Sequence, residues 1–488
     1  MLLRTYVNNE NNLHESSIIN FHPETIIISG RIEEKVVHTY SLNNYKFAID
    51  GNSASIHSLD NLSYDILQNE SSMPSLDKIQ KKLSGRYGPP EISETYAEIQ
   101  SLFDQGMLFS SEESLSEAAA MNHFNPAVKA LCLHVSHDCN LRCEYCFASS
   151  GDYNSGRELM DKEIARKAVD YLVANSGNKH NIEIDFFGGE PLMNFDVVKD
   201  VVIYGRSIEK AANKHFYFTI TTNGSLLTDD RIHFINEHMD NVVISIDGRK
   251  EVHDRVRHDS AGHGSYDHIM PMAQKLVAGR NGKSYFVRGT FTKRNMDFSK
   301  DVMHLAHMGF DEISVEPVVG SGSDLYFDEA DIPALLQEYE NLALQYIDSL
   351  SSGHKFRFYH FHINLYNGPC LFKRINSCGA GGEYLAVSPK GDLYPCHQFV
   401  GQDEFIVGNV NTGIQNQDLC SLFRKTNILT KAKCRDCWAK LFCSGGCHAH
   451  AFYSNGSINK PDELSCTLQK KRIECAVMIQ TLRSDKGI

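Results

Sequence analysis

Leu131-Cys132-Leu133-His134-Val135-Ser136 runs directly into His137-Asp138-Cys139-Asn140-Leu141-Arg142-Cys143-Glu144-Tyr145-Cys146-Phe147. The first part reads as a strand. The second sets three cysteines at C-x3-C-x2-C immediately after it. Three thiolates are one too few to close a four-ligand metal site. On a cubane iron–sulfur cluster they leave one iron open to a small molecule. A zinc site or a disulfide is the plainer reading of three cysteines. Zinc, however, favours paired C-x2-C units with a fourth ligand close by.

From this strand the chain alternates strand and helix. Strands are predicted at 131–136, 182–187, 216–221, 242–246, 285–291 and 312–318. Helical patterns lie between them, for example at 164–173, 197–211 and 268–277. Six β-α repeats predict an α/β fold, a parallel sheet with helices outside, closed into a partial (β/α)6 TIM barrel. Ligands in such folds sit at the C-terminal ends of the strands. The cysteine triplet therefore lies at that mouth. Phe187-Gly188-Gly189-Glu190-Pro191 ends the second strand, Thr221-Thr222-Asn223-Gly224 the third and Ser245-Ile246-Asp247-Gly248 the fourth. Gly188 and Gly189 let the backbone come close to a ligand, and Glu190 can accept from an ammonium group. A plain Gly-Gly turn is the alternative. Arg288, on the fifth strand, is either a partner for a ligand carboxylate or one half of an ion pair inside the barrel.

The 488 residues are enough for roughly three domains. A hydrophobic share of 42% and a charged share of 22% describe an ordinary globular protein. A net charge of −13 argues against nucleic acid, which needs a basic footprint. No apolar run approaches the roughly 20 residues that span a membrane. The N-terminus has neither a basic leader nor an apolar core, so a cytoplasmic protein is expected. In that compartment fourteen cysteines suit metal better than disulfides.

Residues 1–20 are polar, Asn- and Ser-rich, and expected to be poorly ordered. Val36–Tyr40, Tyr45–Ile49 and Ala54–Leu59 read as strands, with a turn at Asp50-Gly51. Three helices follow: one capped by Asp60 and carrying Leu62, Ile66 and Leu67, one with Leu76, Ile79 and Leu83, and one with Ile92, Tyr96, Ile99 and Phe103. Three strands then three helices predict a small winged-helix domain over 1–110. A linker is expected at 111–128, the barrel at 129–330 and a helical bridge at 331–369. The last segment, 370–488, holds nearly all the other cysteines and little periodicity, as a metal-stapled segment would.

Together these motifs are similar to those of radical S-adenosylmethionine (SAM) enzymes. They match C-x3-C-x2-C with an aromatic residue, Tyr145, before its last cysteine, and Gly-Gly-Glu-Pro after the second strand. The resemblance implies a [4Fe–4S] cluster on Cys139, Cys143 and Cys146. It also implies SAM held by Tyr145, Gly188, Gly189, Glu190, Ser245 and Asp247, with Arg288 as a further contact. Cys378-x12-Gly391-x4-Cys396, then Cys434-x2-Cys437-x5-Cys443-x3-Cys447 and, after a gap, Cys466, resemble the SPASM iron–sulfur domain. That resemblance implies two auxiliary [4Fe–4S] clusters, making three clusters in all. Cys434, Cys437, Cys443 and Cys466 would hold the distal one, and Cys378, Cys396 and Cys447 the proximal one. Cys370 is either its fourth ligand or absent from it, leaving an iron open for a substrate thiolate. Cys132, Cys420 and Cys475 are left as buried thiols.

The runs around Cys139–Ser149, Asp185–Asn194 and Tyr394–Gly401 further resemble the thioether-forming maturases of ranthipeptides, such as the SCIFF and freyrasin maturases. The related sulfatase maturases place an Asp base after the cysteine at Cys396. Here His397 stands there, which weighs against formylglycine chemistry. The resemblance implies an enzyme that cleaves SAM reductively to a 5′-deoxyadenosyl radical and joins cysteine sulfur to an acceptor carbon. Its substrate would be a ribosomal precursor peptide with a leader and a Cys-rich core, and its electrons would come from a flavodoxin- or ferredoxin-type donor. The N-terminal unit resembles their winged-helix (PqqD-like) leader-recognition domains, with Ala54–Leu59 expected as the edge strand that pairs with the leader. Two alternatives stay open: another radical SAM peptide modification (an oxidation or carbon–carbon crosslink), and a non-catalytic iron–sulfur redox sensor.

Overall fold

The structure, a computed structural model, describes residues 5–6, 36–113, 115, 127–320, 322–363 and 371–486. Contacts divide the chain into two compact units. One comprises Met1–Asn122, Ile363–Ile375 and Ile428–Gly445; the other His123–His362, Asn376–Asn427 and Gly446–Ile488.

The first unit is built on an antiparallel sheet of β1 (Thr5–Tyr6), β2 (Val37–Leu42), β3 (Tyr45–Asp50) and β4 (Ile56–Leu59), in the order β1-β4-β3-β2. Asn43 and Asn44, both at positive φ, make the two-residue β2–β3 turn that matches strand twist. Asp50 Oδ1 accepts from Asn52 N at 3.1 Å and Ser53 N at 2.8 Å, which sets the next turn. Helices Asn61–Leu67, Leu76–Leu83 and Pro89–Asp104 follow. Asp60 caps the first, accepting from Ser63 N at 2.8 Å. Leu62, Ile66, Ile79, Leu83, Ile92 and Ile99 meet in one core with Ala48 and Leu59. Phe103 is the exception to the predicted stripe. It is 38% exposed, and its neighbour Leu102, three residues after the buried Ile99, packs into the core instead.

Two features of this unit were not expected. Strand β4 is paired on both sides, with Thr5 opposite His57 and Tyr6 opposite Ile56 on its outer edge. Ala54 lies outside the strand at positive φ. The edge assigned to an incoming peptide therefore already carries two residues of the chain itself. The second is that Ile428–Gly445, with Cys434, Cys437 and Cys443, packs here. Trp438 stacks on His38 with ring centroids 4.1 Å apart, and a Cβ at Gly51 would stand 2.6 Å from the Trp438 Cα. Only glycine lets the β3–β4 turn approach so closely.

The second unit carries the barrel strands β5 (Ala130–His137), β7 (Asn181–Gly188), β8 (His215–Thr222), β9 (Asn241–Ser245), β10 (Ser284–Phe291) and β11 (Glu312–Pro317). The short β6 (Glu158–Leu159) pairs antiparallel with the end of β5. The six long strands are parallel, each beside its predecessor, in the order β5-β7-β8-β9-β10-β11. Every predicted barrel strand is present to within a residue or two. β12 (Arg357–Phe358) extends the β11 side.

The cysteine-rich segment holds more regular structure than its sequence suggests. β13 (Tyr384–Val387) adds in parallel to β5. β14 (Asp392–Tyr394), β15 (Gly408–Asn409) and β16 (Gly413–Ile414) continue antiparallel from it. Strands of two to four residues are too short to show a period of two. Helix Glu463–Lys486 was also missed. Its buried residues, Leu468, Ile473, Cys475, Ala476, Val477, Met478, Ile479 and Leu482, surround the axis, so no stripe marks it. Cys132, Cys420 and Cys475 are buried free thiols, as expected. No helix among the described residues is long and apolar enough to cross a membrane.

Candidate functional site

The loop after β5 brings Cys139, Cys143 and Cys146 to the C-terminal mouth of the barrel, each thiol free. Donors turn toward the sulfurs. Leu141 N lies 3.4 Å from Cys139 Sγ, Asn223 Nδ2 3.6 Å from the same atom, and Arg257 Nη1 3.9 Å from Cys143 Sγ. Burial pushes the Cys139 thiol up to about 12, with Glu190 and the other two cysteines adding to it. Burial likewise pushes Cys143 up to about 11, against the pull of Arg257. Such thiols become thiolates only on a cation. Among the described residues no three His, Cys, Asp or Glu side chains converge as a single-ion site requires. A cubane takes each thiolate at a separate corner, and the triplet with its N–H···S donors fits that group.

The turn after β7 is pressed against this loop. A Cβ at Gly188, where φ is +131°, would lie 2.2 Å from Ser136 O, and one at Gly189 2.3 Å from Asp138 O. Glycine is required at both.

Glu190 is held by its neighbours. Its side chain is fully buried. Oε1 accepts from Thr222 Oγ1 at 2.7 Å and Leu192 N at 3.0 Å, and Oε2 from Asn223 N at 2.7 Å. Burial raises it to about 7 despite these donors. The carboxylate ties the end of β7 to the end of β8. A buried carboxylate needs its acceptor sites filled, and the backbone N–H groups of a tight turn fill them.

Asp247 is held in a similar way. It is fully buried and accepts from Tyr145 Oη at 2.7 Å, Arg257 Nε at 3.0 Å and Thr290 N at 2.9 Å. Arg257 also lies over the Tyr145 ring, 5.3 Å from its centroid. Arg257 thus joins Cys143, Tyr145 and Asp247, and nothing in the sequence around it marked it. Replacing Arg257 with Met strands a buried charge. The variant is expected to lose about 3–5 kcal/mol of stability in urea unfolding, while Arg257→Lys loses less.

Ser245 and Arg288 sit opposite each other on β9 and β10. Arg288 donates from Nη2 to Glu316 Oε2 at 3.1 Å, while half of its side chain stays exposed. The ion pair is therefore present, and it leaves the Arg288 side chain accessible. Burial alone would raise Glu316, but Arg288, His360 and Arg472 bring it down to about 2.

His360 lies 3.1 Å from Ser314 Oγ and is held down to about 3, chiefly by burial and then by Arg472. Its folded value is below its unfolded one, so between pH about 6.5 and 3 the unfolded chain binds the extra proton. Stability therefore falls on acidification, by about 1.4 kcal/mol per pH unit for this one group. His360→Gln should remove that part of the slope, measured by urea midpoints from pH 7 to 4.

Cys378, Cys396 and Cys447 also belong to the second unit. Burial raises the Cys396 thiol first, and Cys378 and Cys447 raise it further, so the three lie within electrostatic reach. The neighbouring His397 is fixed through Nδ1, 2.9 Å from Tyr384 Oη. Cys434, Cys437 and Cys443 lie in the first unit and Cys466 in the second. Two short helices, Ala432–Arg435 and Lys440–Cys443, carry Cys434 and Cys443, with Cys437 between them. Beside them the almost wholly buried Lys440 donates to Arg435 O at 2.7 Å. Cys370 lies outside the described residues.

Residues 133–279 match the Radical SAM superfamily, and residues 378–438 match SPASM, an iron–sulfur cluster-binding domain. The chain is a radical SAM enzyme with a SPASM domain. Among curated relatives, this radical SAM enzyme is similar to the radical SAM cyclopropyl synthase TigE of Paramaledivibacter caminithermalis. The two are 23% identical over 70% of this chain and 72% of that one. It is also similar to the mycofactocin maturase MftC of Mycolicibacterium smegmatis, at 27% over 68% and 81% of the two chains. Among solved structures, anSMEcpe with bound AdoMet and Cp18Cys peptide superposes with a TM-score of 0.60 at 19% identity, over 74% of this chain and 99% of that one. That likeness is one of fold.

Proposed function

We propose that this radical SAM enzyme modifies a ribosomal precursor peptide by joining a cysteine sulfur to a carbon of an acceptor residue. The observation that carries this reading is the placement, within one compact unit, of the barrel-mouth triplet and Cys378, Cys396 and Cys447. Relatives named as a maturase and as a cyclopropyl synthase, and a fold neighbour bound to a peptide, support peptide modification. Cys139, Cys143 and Cys146 would hold the cluster that cleaves SAM. Ser245, Arg288, Tyr145 and the backbone of Gly188–Glu190 would line the SAM site. When bound, SAM and that cluster supply a carbon radical that takes one hydrogen atom from the acceptor residue.

Forming S–C from S–H and C–H removes two electrons and two protons from the peptide. One electron and one proton leave together as the hydrogen atom carried off in 5′-deoxyadenosine, and the thiol proton goes to solvent. The second electron needs an acceptor, and the three cysteines around Cys396 are placed to hold one. A flavodoxin- or ferredoxin-type protein would supply the electron that starts each turnover. The test is product mass: each linkage lowers the precursor by two hydrogens, and fragmentation distinguishes S–C from C–C bonds. A carbon–carbon product overturns the thioether reading. An unmodified precursor with no 5′-deoxyadenosine overturns peptide modification.

The first unit would capture the leader as a winged-helix recognition domain, by strand addition to its sheet. Capture raises the local concentration of the core peptide. Deleting 1–110 is too blunt a test, because it strips His38 and Gly51 from Trp438. Slowed hydrogen exchange along β2 or β4 when the precursor binds is the expected result. Unchanged exchange along both strands excludes strand addition.

A further inference from the structure

We propose that Phe147 is a substrate-positioning residue, its open ring face holding the core peptide between the cysteine triplet of the barrel mouth and the cysteines around Cys396. The inference rests on the peptide-modifying reading above. Phe147 directly follows Cys146, so whatever fixes that cysteine fixes its backbone. Its ring lies 6.1 Å from Tyr153, 6.5 Å from Phe187 and 6.1 Å from His397, centroid to centroid. Phe187 and His397 are themselves 5.2 Å apart, which closes a triangle of three rings.

The surroundings are anchored. Tyr153 is buried and donates through its hydroxyl to Gly188 O at 3.0 Å. Phe187 sits at the end of β7, and His397 is tethered to Tyr384. Phe147 nevertheless remains 48% exposed. A lone exposed phenylalanine on a surface needs no explanation. This one is the open member of a rigid ring cluster. One corner of the cluster adjoins Cys146 and another adjoins Cys396, so a peptide that reaches from the first cysteine set to the second crosses this ring. Its exposed face suits the apolar stem of a core residue beside the reacting one, held edge-on or stacked.

The test uses the full-length iron-loaded enzyme and the cysteine-containing precursor that it modifies. Readouts are KM and kcat for the precursor, 5′-deoxyadenosine formed per linked product, and iron content. Phe147→Ala is expected to raise KM about tenfold and to raise the 5′-deoxyadenosine-to-product ratio by a similar factor, because the peptide is held loosely when the radical forms. Phe147→Tyr, which keeps the ring, should recover both to within about threefold. An alanine variant with unchanged KM and ratio overturns the proposal. So does one whose loss of product simply tracks loss of iron, since the ring would then only support the cysteine loop. Failure of the wild type to modify any precursor instead overturns the peptide-modifying reading itself.

Discussion

An enzyme with Cys139, Cys143 and Cys146 all changed to Ala is expected to make no 5′-deoxyadenosine, while retaining the iron held by its C-terminal cysteines. Among the described residues the barrel mouth offers no substitute ligand set. Asp247 and Glu190 are fully buried and committed to protein donors, and no other cysteine lies on the β5 loop. On the proposed reading, nothing would then hold the cluster that passes an electron to SAM. The loss should therefore be complete rather than graded, in contrast to a contact residue whose removal costs about 10–100-fold. Chromatography of the nucleoside product and an iron assay together decide it. Continued 5′-deoxyadenosine formation would place SAM cleavage elsewhere.

Loss of Cys378, Cys396 and Cys447 should have a different signature. Linked product is expected to fall at least about a hundredfold, equivalent to about 2.7 kcal/mol of barrel-site coupling, while uncoupled SAM cleavage persists. The three cysteines are not part of the β5 triplet, so on this reading they are not needed to start the radical. They are close to the ring cluster that leads from Cys146 to His397, so they are placed to take the second electron or to hold the substrate thiolate. Cys370→Ala refines this. Loss of iron makes it a fourth ligand, and retained iron with retained crosslinking leaves that position for the substrate. Full crosslinking by the triple variant would remove these cysteines from the redox chemistry.

Much of this protein was legible before its structure. The six barrel strands announce themselves because β5 is a continuous buried run and most of the others alternate apolar and polar residues, as Ile182, Ile184 and Phe186 do on β7, between turn residues. Cysteine spacing identifies the cluster-binding segments because ligand geometry restricts local sequence. The caps and turns at Asp60 and at Asp50-Gly51 follow from side-chain chemistry a few residues away. All of these are local rules.

What tertiary structure alone decided is non-local. The motif made Glu190 and Asp247 look like open carboxylates. The meeting of β7 with β8, and of the Tyr145 loop with β9 and Arg257, buries them and fills their acceptor sites. Nothing near Arg257 in sequence foretold that it would join Cys143, Tyr145 and Asp247, more than a hundred residues away in the case of Cys143. The β13–β16 extension and the helix Glu463–Lys486 have no periodicity to read, the strands because they are too short and the helix because its buried residues lie all round its axis. Even the allegiance of Trp438, stacked on His38 of β2, is set by which surface it can bury, and a one-dimensional pattern does not contain that information.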